Sequence, residues 1–526
     1  MAKTETPTAS PDYALKAVID IGSTSIRMVV AQFHSNGKFQ TLDSLNQSVA
    51  LGADTFTRGR ISRSTISEAV KVIRNFSSVL KEYNIDPAQE VFAVATSAVR
   101  EARNRDEFVD RVYMATDIQV QVIEGTEVNR LTFLAIQPIL AANSRLRKNR
   151  LLVAEVGGGN TELLGLDEGR VSFAHIYRMG SYRLREAMDS QQGSDARKRD
   201  VLRMEIEAGV RQCRDAVPRG EKNLSLLLMG GEARFAAHTV DEDWDEHSVL
   251  DIKVSDLEKL ADKVLAMDVE KVVRKYHMTI ESAQTLGPAL QAYVKLAQAF
   301  HQKKVSVCGA SLRDGLLSEA ASGGSWSDDF VEQVLHSVHE VGRRYEFDQK
   351  HADCVTNISR AMFRALQREH RLSYRYEVIL TVAAQLHDVG MFIGSSSHHK
   401  HSQYIIQNSD LFGLGEEDIK LISLVARYHR RANPRPGHPG YDALPRSKRL
   451  IVNKLAAILR AADALDRSHT ESIRDLKITV KEEEVIVEVP KPGDYTAEKR
   501  ALASKGKLFE QVYGRTMVLR TKRRQG

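Results

Sequence analysis

The sequence predicts an α/β protein made of two similar lobes, followed by a helical domain and a small C-terminal cap. Two observations predict the lobes: a strand, a turn of glycine and hydroxyl residues and a returning strand occur at 16–30 and again at 151–163. Such an internal repeat indicates two related units that face each other across a cleft. The third observation is a Gly/Ser cluster at 322–325, after which the sequence becomes helical and rich in histidine.

The composition sets bounds on the class of protein. A chain of 526 residues predicts several domains, and a net charge of +6 suits a polyanionic partner. Three scattered cysteines without a CxxC pair indicate a reducing compartment. No apolar stretch is long enough to cross a bilayer, and residues 1–13 read as a disordered polar tail without the apolar core of a signal peptide. We therefore expect a cytoplasmic protein with no membrane partner and no specific nucleic-acid partner.

The first repeat contains an apolar strand that ends near Asp20, a turn at 22–25 and a second strand that carries Arg27. Glycine permits positive φ and leaves no Cβ in the way, so backbone N–H groups in such a turn can converge on an anion. An Asn-Gly pair at 36–37 then predicts a hairpin into a third strand.

The rest of the first lobe alternates helices and strands. Helical spacing at 65–83 predicts a helix, with Thr65 and Glu68 as a capping box. A buried strand at 90–95 leads to Ser97 and Arg100, which fit either an oxyanion site at a helix start or a capped surface helix with a solvated arginine.

A strand at 120–124 is followed by a helix with Glu127 in its first turn. A carboxylate at this place in a helix commonly interacts with the helix dipole. Its functional interpretation is a carboxylate at the mouth of the cleft that takes a proton from water.

The second repeat places Glu155 at the end of one strand, three glycines at 157–159 in the turn, and Glu162 at the start of the next strand. An anion cradle between two carboxylates suggests a bound phosphate together with a metal ion or an activated water. The alternative is a glycine-rich hairpin of any β-domain. A hairpin signal at 167–169, strands at 224–229 and 305–308, and a helix at 312–320 complete the second lobe.

Two phosphate loops that meet on one phosphate chain resemble the actin, sugar-kinase and Hsp70 superfamily, whose lobes are ribonuclease H-like. A closer resemblance is carried by an ordered set of motifs: DIGSTSIR at 20–27, TSAVREA at 96–102, EGTE at 124–127, GGGNTE at 157–162, MGG at 229–231 and GASLRDGLL at 309–317. This set resembles the exopolyphosphatase and guanosine pentaphosphate phosphohydrolase family. The resemblance implies that water removes a terminal phosphate without a phosphoenzyme.

The same resemblance implies roles for individual residues. Glu127 would be the general base, Glu162 a second carboxylate near the reacting phosphoryl group, and Asp20 and Glu155 the ligands of Mg²⁺ or another divalent cation. The phosphate-binding residues would come from both turns and the segments beside them: Gly22, Ser23, Thr24, Ser25, Arg27, Ser97, Arg100, Gly157, Gly158, Gly159, Asn160, Thr161, Gly230 and Gly231.

Two positions depart from the family pattern, which normally has Asp at 155 and often Ser at 160. The extra methylene of Glu155 would push its carboxylate further into the cleft and change the metal preference or geometry. The cradle itself depends on backbone N–H groups, so we expect it to survive Asn160.

The segment at 325–475 resembles an HD-type phosphohydrolase domain. His351, His387, Asp388 and Asp463 would form a one-metal set on facing helices, and His401 with His429 could hold a second metal. Both a structural role and a working metal site stay open, as does a basic path for a phosphate chain along 398–401 and 428–431. The predicted domains are lobes at 14–140 and 141–321, this helical domain, and a cap at 476–526 whose terminal arginines read as a solvated face.

The predicted function is an Mg²⁺-dependent exopolyphosphatase, active as a homodimer. The first alternative is a guanosine pentaphosphate phosphohydrolase that uses the same site. A nucleotide phosphohydrolase that acts through the HD-type site and a non-catalytic sensor of polyphosphate or an alarmone are the other classes. An actin-like ATPase or sugar kinase is less favoured, because no adenosine pocket can be assigned.

Overall fold

A computed structural model of the chain describes residues 13–521, except 36, 192, 218–223, 323–325, 431, 472, 474–475 and 491–492. The chain divides into two compact units, an N-terminal unit that ends before Trp326 and a C-terminal unit that begins there. The predicted tail, most of the Gly/Ser cluster, Asn36 of the first hairpin, Arg431, and the terminal residues 522–526 lie outside the described residues.

The first lobe is built on a sheet whose described strands run in the order β3-β2-β1-β4-β5. β1 pairs antiparallel with β2, so that Asp20 lies opposite Arg27, and parallel with β4. The strands are β1 (Tyr13–Ile21), β2 (Ser25–His34), β3 (Phe39–Ser48), β4 (Val91–Ala95) and β5 (Val120–Val122).

The second sheet repeats this topology and adds one edge strand. Its described strands run β10-β11-β9-β6-β7-β8, and Glu155 lies opposite Glu162 where the first sheet has Asp20 opposite Arg27. The prediction of two duplicated α/β lobes is therefore confirmed. The strands are β6 (Arg150–Val156), β7 (Thr161–Asp167), β8 (Arg170–Tyr177), β9 (Leu224–Met229), β10 (Val249–Lys253) and β11 (Lys304–Cys308). The predicted hairpin between β7 and β8 turns through Glu168 and Gly169, both at positive φ.

Helices cover both sheets of the N-terminal unit. The described helices are α1 (Leu51–Arg58), α2 (Arg63–Glu82), α3 (Ser97–Arg100), α4 (Arg105–Thr116), α5 (Gly125–Ala142), α6 (Ser144–Lys148), α7 (Ser181–Asp189), α8 (Asp195–Ala216), α9 (Gly231–Val240), α10 (Val254–Leu265), α11 (Val269–Tyr276), α12 (Ile280–Ala299) and α13 (Leu312–Ser322).

The predicted cap of α2 was wrong by three residues. Ser62 is the N-cap, and its hydroxyl accepts a hydrogen bond from the backbone N–H of Thr65 at 3.3 Å. The Thr65 hydroxyl donates instead to Asp54 at 2.6 Å. A residue of α1, eleven positions earlier, thus binds the side chain that the local pattern assigned to the cap.

Helix α13 packs on the first lobe, although it follows the last strand of the second lobe. Leu316, Leu317 and Ala320 are buried in one cluster with Val18 of β1 and Leu131 of α5. The chain therefore returns to the lobe in which it began, whereas the sequence placed residues 312–321 in the second lobe. This return joins the two lobes through a helix as well as through the connection at α6.

The C-terminal unit is a helical domain followed by a three-stranded sheet, counted over its described residues. No helix in the described part of the chain is long and apolar enough to cross a membrane. The elements are α14 (Asp328–Arg344), α15 (Gln349–Ala365), α16 (Gln367–His370), α17 (Tyr374–Leu386), a 3-10 turn (Val389–Phe392), α18 (His398–Gln407), α19 (Glu416–Arg427), α20 (Arg446–Leu465), β12 (Lys477–Val480), β13 (Glu484–Val489), α21 (Thr496–Lys505), α22 (Lys507–Tyr513) and β14 (Thr516–Thr521).

A substitution in α13 tests its close packing on α5. A Cβ added to Gly315 would lie 2.1 Å from the backbone oxygen of Leu131, so Gly315→Ala must push the two helices apart. We expect it to lower the free energy of unfolding of the N-terminal unit by about 1–3 kcal/mol, measured by urea denaturation. Ser318→Ala, on the same helix, is the control and should unfold like the wild type; equal midpoints for all three proteins would contradict the packing argument.

Candidate functional site

The two predicted loops are matched four-residue turns. The N–H of Gly22 donates to the carbonyl of Ser25 at 3.0 Å, and the N–H of Gly157 donates to the carbonyl of Asn160 at 2.9 Å. The carbonyl of Ser23 accepts from Gly52 in α1, and that of Gly158 accepts from Tyr182 in α7. Because these carbonyls are turned towards helix starts, the opposite side of each turn presents N–H groups. Within the described residues, no hydrogen bond is found to the backbone N–H of Ser23, Thr24, Gly158 or Gly159.

The two turns approach each other across one cleft. A Cβ added to Gly158 would lie 2.6 Å from the Cβ of Ser23, closer than real side chains come. The hydroxyl of Ser23 is also 3.5 Å from that of Ser97, at the start of α3. Glycine at 158 is therefore a packing requirement that brings the loop of one lobe against the loop of the other.

A cavity of about 310 Å³ opens between the loops. Thirteen of the predicted site residues line it: Asp20, Gly22, Ser23, Thr24, Ser25, Arg27, Ser97, Glu155, Gly157, Gly158, Asn160, Glu162 and Gly231. Apolar side chains, among them Phe235, Met278 and Leu286, line it as well. The cleft thus joins an anion cradle, carboxylates and an apolar wall in one space.

Glu127, the predicted general base, is not among the residues that line this cavity; its neighbour Val128 is. The carboxylate of Glu127 accepts two hydrogen bonds from Arg130, at 2.9 and 2.6 Å, and Arg130 also pairs with Glu319 at 2.6 Å. In the first turn of α5, Val128 therefore lines the cavity, while the carboxylate of Glu127 is hydrogen-bonded to Arg130. The role of general base for Glu127, which rested on the family resemblance, stays a prediction.

Four of the predicted phosphate-binding residues are likewise not among those that line the cavity. The Arg100 guanidinium donates to the carbonyl of Ile123 at 2.7 Å, and the buried Thr161 hydroxyl donates to the carbonyl of Met179. Gly159 lies beneath the ring of Phe56, and Gly230, at a φ of 101°, lies against Glu155 and Tyr293. These residues support the loops from behind.

Burial disfavours the ionised forms of the carboxyl groups in the cleft. Burial, followed by the charge of Glu155, raises the pKa of Glu162 to about 8. Burial also raises the pKa values of Asp20, Glu155 and Glu232. Glu232, in the first turn of α9, was not among the residues predicted from the sequence. Its place directly after the Gly230-Gly231 turn could have indicated it. Carboxylate oxygens are the ligands that Mg²⁺ prefers, and Asp20, Glu155, Glu162 and Glu232 line the same cavity, so the residue types present fit that ion.

Arginines accompany these carboxylates. Burial and the neighbouring charge of Arg27 lower the pKa of Arg313, and Arg234 acts on it in the same direction. Arg234 also lowers the pKa of Glu155, against the larger effect of burial. Several carboxylates and several arginines thus act on one another in and around the cleft. This combination indicates a ligand that carries several negative charges together with a cation.

Glu101 connects the two lobes beside the second loop. Its carboxylate pairs with Arg183 and with Arg178 at 3.2 Å, and it accepts from the Asn160 amide at 3.4 Å. Arg183 also donates to the carbonyl of Gly159 at 2.8 Å and lies over the ring of Phe56. Asn160, which departs from the family pattern, therefore contributes a contact between lobes in addition to its place in the loop.

The C-terminal unit gathers a second cluster, which we call the histidine centre: His351, His387, Asp388, His398 and His429. Ligand atoms of His351, His387 and Asp388 lie within 4.8 Å of one another, and so do those of Asp388, His398 and His429. The predicted His401 is not part of the second group; His398, one helical turn earlier, takes its place. The spacing within α18 could not decide between the two histidines.

Hydrogen bonds orient each imidazole of the histidine centre. The Nδ1 atoms of His387, His429 and His398 bond to backbone carbonyls at 2.7, 2.6 and 3.0 Å, and that of His351 bonds to Asp466 at 2.7 Å. The Nε2 atoms of His398 and His429 lie 3.2 Å apart, and those of His351 and His387 are buried without a hydrogen-bond partner among the described residues. Burial lowers the pKa of His387 to about 4, which keeps its imidazole neutral at pH 7. A neutral imidazole fixed by its other nitrogen is the usual form of a metal-ligating histidine.

Asp463, the fourth member of the predicted one-metal set, has one oxygen near His351 and the other bonded to a lysine. Its Oδ1 lies 3.7 Å from Nε2 of His351, while its Oδ2 forms an ion pair with Lys505 of α21. Lys505 was not predicted, because nothing in the local pattern of the cap connects it with Asp463, which lies 42 residues earlier.

Comparison with protein-family models gives two matches. Residues 18–322 match the Ppx/GppA phosphatase family, and residues 335–506 match domain III of the same phosphatases. The chain belongs to the Ppx/GppA phosphatase family. The predicted family is thereby confirmed, and the helical domain is recognised as the domain III of these phosphatases.

Relatives in this family carry two different activities in their names. The chain is 24% identical over 465 residues to a guanosine-5'-triphosphate,3'-diphosphate pyrophosphatase of Photobacterium profundum, covering 86% of this chain and 87% of that protein. It is 23% identical to the protein of the same name from Aliivibrio fischeri (strain MJ11), with the same coverage. Among solved structures, an exopolyphosphatase from Cytophaga hutchinsonii matches with a TM-score of 0.53 and 20% identity, over 59% of this chain and 98% of that one. This last likeness concerns the fold.

The raised pKa of Glu162 predicts how pH acts on this Ppx/GppA phosphatase. Its carboxyl holds a proton up to about pH 8 in the folded protein but only to about 4.5 when unfolded. Unfolding therefore releases a proton, and stability falls as the pH rises between these values. We expect the Tm of the N-terminal unit in EDTA to fall between pH 6 and pH 8, and Mg²⁺ to raise Tm more at pH 8. Glu162→Gln should reduce this slope; an unchanged slope would show that Glu162 does not titrate in this range.

Proposed function

We propose that the cleft of the N-terminal unit hydrolyses the terminal phosphoanhydride bond of a linear phosphate chain. The observation that carries this proposal is the pair of opposed turns, 22–25 and 157–160, which border one cavity together with carboxylates and which carry N–H groups without a hydrogen-bond partner among the described residues. Such turns bind phosphate oxygens through oriented backbone dipoles. Two of them on the same cavity can hold neighbouring phosphates of one chain.

The residues of the cleft divide the work of phosphoryl transfer. The N–H groups of both turns and the charges of Arg27 and Arg313 would bind the phosphate oxygens and hold the scissile bond in line with an incoming water. Asp20 and Glu155 would hold Mg²⁺, which when bound supplies neutralisation of the phosphate charge. The attacking water forms a bond to the terminal phosphorus, the anhydride oxygen leaves with the shortened chain, and the proton of the water passes to a carboxylate.

We propose Glu162 as that carboxylate. It lines the cavity, and although burial raises its pKa to about 8, the charge of Arg100 acts in the opposite direction. A divalent cation held by Asp20 and Glu155 would add a positive charge beside Glu162 and so favour the ionised form that a base requires. Glu127, which the family resemblance implied as the base, is 31% exposed in its side chain and engaged by Arg130. To act on a water it would first have to leave that arginine. We therefore propose that Glu127 positions α5 through Arg130 and Glu319.

Guanosine pentaphosphate is the substrate we favour, with inorganic polyphosphate as a second substrate of the same site. Phe235, Met278 and Leu286 provide an apolar wall beside the cradle, which suits a nucleoside better than a bare phosphate chain. The names of the two relatives that align over most of their length also support the nucleotide.

Two carboxylate substitutions test the assignment. Phosphate release from guanosine pentaphosphate and from long polyphosphate, with Mg²⁺, should fall about 10²- to 10⁴-fold in kcat for Glu162→Gln, as expected for loss of a positioned base. Glu127→Gln should lower it by about fivefold at most, since a partly exposed ion pair contributes about 1 kcal/mol or less.

If Glu127→Gln lowers kcat more than Glu162→Gln does, Glu127 is the base.

Phe235→Ala separates the substrates: it should raise KM for guanosine pentaphosphate and leave KM for polyphosphate unchanged. Equal effects on both would contradict the apolar wall as a nucleoside contact. Tight binding of either compound without phosphate release by the wild type would show a sensor in place of a hydrolase.

We further propose that the histidine centre of the C-terminal unit binds a divalent transition metal. The observation that favours it is the convergence of four Nε2 atoms on Asp388; those of His398 and His429 each lie 3.3 Å from its Oδ1. Imidazole and carboxylate together suit Mn²⁺, Fe²⁺, Co²⁺ or Zn²⁺ better than Mg²⁺. A bound metal of this kind can activate water for hydrolysis of a phosphate ester.

Metal binding at the histidine centre can be measured directly. With Mg²⁺ in excess to fill the cleft, the chain should bind Co²⁺ with the visible absorption of a histidine-ligated ion. His429→Ala should weaken this binding by more than the roughly 10- to 100-fold that loss of an outer hydrogen-bond partner costs. His238→Ala, an exposed histidine of the N-terminal unit, is the control; equal Co²⁺ affinity in both variants would contradict the centre.

A further inference from the structure

We propose that Lys505 is a built-in cation of the histidine centre, which holds Asp463 and thereby restricts the position formed by His351 and His387 to weak metal binding. The inference rests on the proposed metal centre and adds an element of control from the C-terminal cap. It makes the two cation positions of the centre unequal: the one at Asp388, His398 and His429 is open, and the other is opposed by an ammonium group.

The first observation is the arrangement around Asp463. Three of the four predicted ligands, His351, His387 and Asp388, bring their ligand atoms together, and Asp463 is not in that group. One of its oxygens is 3.7 Å from Nε2 of His351, and the other is taken by the Nζ of Lys505. The carboxylate that would complete the ligand set is thus bonded to a lysine.

The second observation is the burial of this ion pair. The side chain of Asp463 is 6% exposed and that of Lys505 is 16% exposed. A buried carboxylate without a counter-charge is costly, and removing one partner of a buried pair usually costs several kcal/mol. Lys505 therefore supplies at this position the positive charge that a metal ion would otherwise bring.

The third observation is the origin of the lysine. Lys505 is the last residue of α21, which packs on α20, the helix that carries Asp463. Asp463 faces His351, His387 and His429 as well as Lys505. Arg460, one turn earlier on α20, donates hydrogen bonds to the carbonyls of Tyr428 and Ala432, so it acts on Asp463 through its charge without an ion-pair contact, whereas Lys505 is bonded to the carboxylate itself.

Electrostatics then sets the order of metal binding. A divalent ion between His351 and His387 would lie close to the ammonium group and would share a carboxylate that is already neutralised. At the position between His398, His429 and Asp388, the charge of Arg430 acts on His398, but among the described residues no lysine is paired with the carboxylate of Asp388. We therefore expect the wild type to bind one transition-metal ion tightly and a second one weakly.

The test is Co²⁺ binding to the full chain with Mg²⁺ in excess, followed by visible absorption and by metal content after gel filtration. The wild type should retain one Co²⁺ per chain. Lys505→Met should retain two, with the affinity of the second ion raised roughly 10- to 100-fold, the range in which outer groups tune a metal site. Lys499→Met, an exposed lysine on the same helix, should behave as the wild type.

Two further variants keep the test decisive. Lys505→Gln removes the charge but keeps hydrogen-bond donors, so it serves if Lys505→Met does not fold; Lys505→Arg keeps the charge and should retain one ion. If the charge-removing variants bind Co²⁺ with the wild-type stoichiometry and affinities, Lys505 does not oppose metal, although the centre itself stands. If no form of the chain binds Co²⁺ through the histidines, the metal centre fails and this inference with it.

Discussion

The close approach of the two loops is the constraint on which the N-terminal unit depends. Gly158 comes so near Ser23 that any side chain at 158 would separate the lobes. The carbonyls of Ser23 and Gly158 accept hydrogen bonds from the starts of α1 and α7, so each turn is fixed by a helix while two N–H groups in each turn keep no partner among the described residues. The cavity, the carboxylates and the arginines acquire their relation to each other only because the two sheets are held at this distance.

The cleft and the histidine centre solve a similar electrostatic problem with different residues. In the cleft, buried carboxylates with raised pKa values are balanced in part by Arg27, Arg234 and Arg313, and oxygen ligands favour Mg²⁺. In the histidine centre, imidazoles fixed through Nδ1 surround Asp388, and nitrogen ligands favour transition metals. Each unit thus holds a group of residues whose chemistry would suit a different kind of cation.

The duplication of the lobes was predictable because the same pattern of strand, turn and strand occurs twice along the chain. Each copy needs an apolar strand, a turn without bulky side chains and a second strand, and these requirements are local. The same reasoning reached the residues within the turns, such as Ser23 and Gly158, and the family to which they belong. It also indicated that His351, His387 and Asp388 lie together, and the structure brings their ligand atoms within 4.8 Å of one another.

What the sequence by itself determined is therefore the set of local elements: the strands, the two turns, the family and most of the residues that face the cleft. Only the tertiary structure decided which way a side chain turns on a helix and which distant group reaches it. The rotation of α5 brings Val128 to the cavity and Glu127 to Arg130. The return of α13 to the first lobe and the ion pair of Lys505 with Asp463 likewise join residues far apart in the chain. Such contacts depend on packing between elements, and no local pattern of residues encodes them.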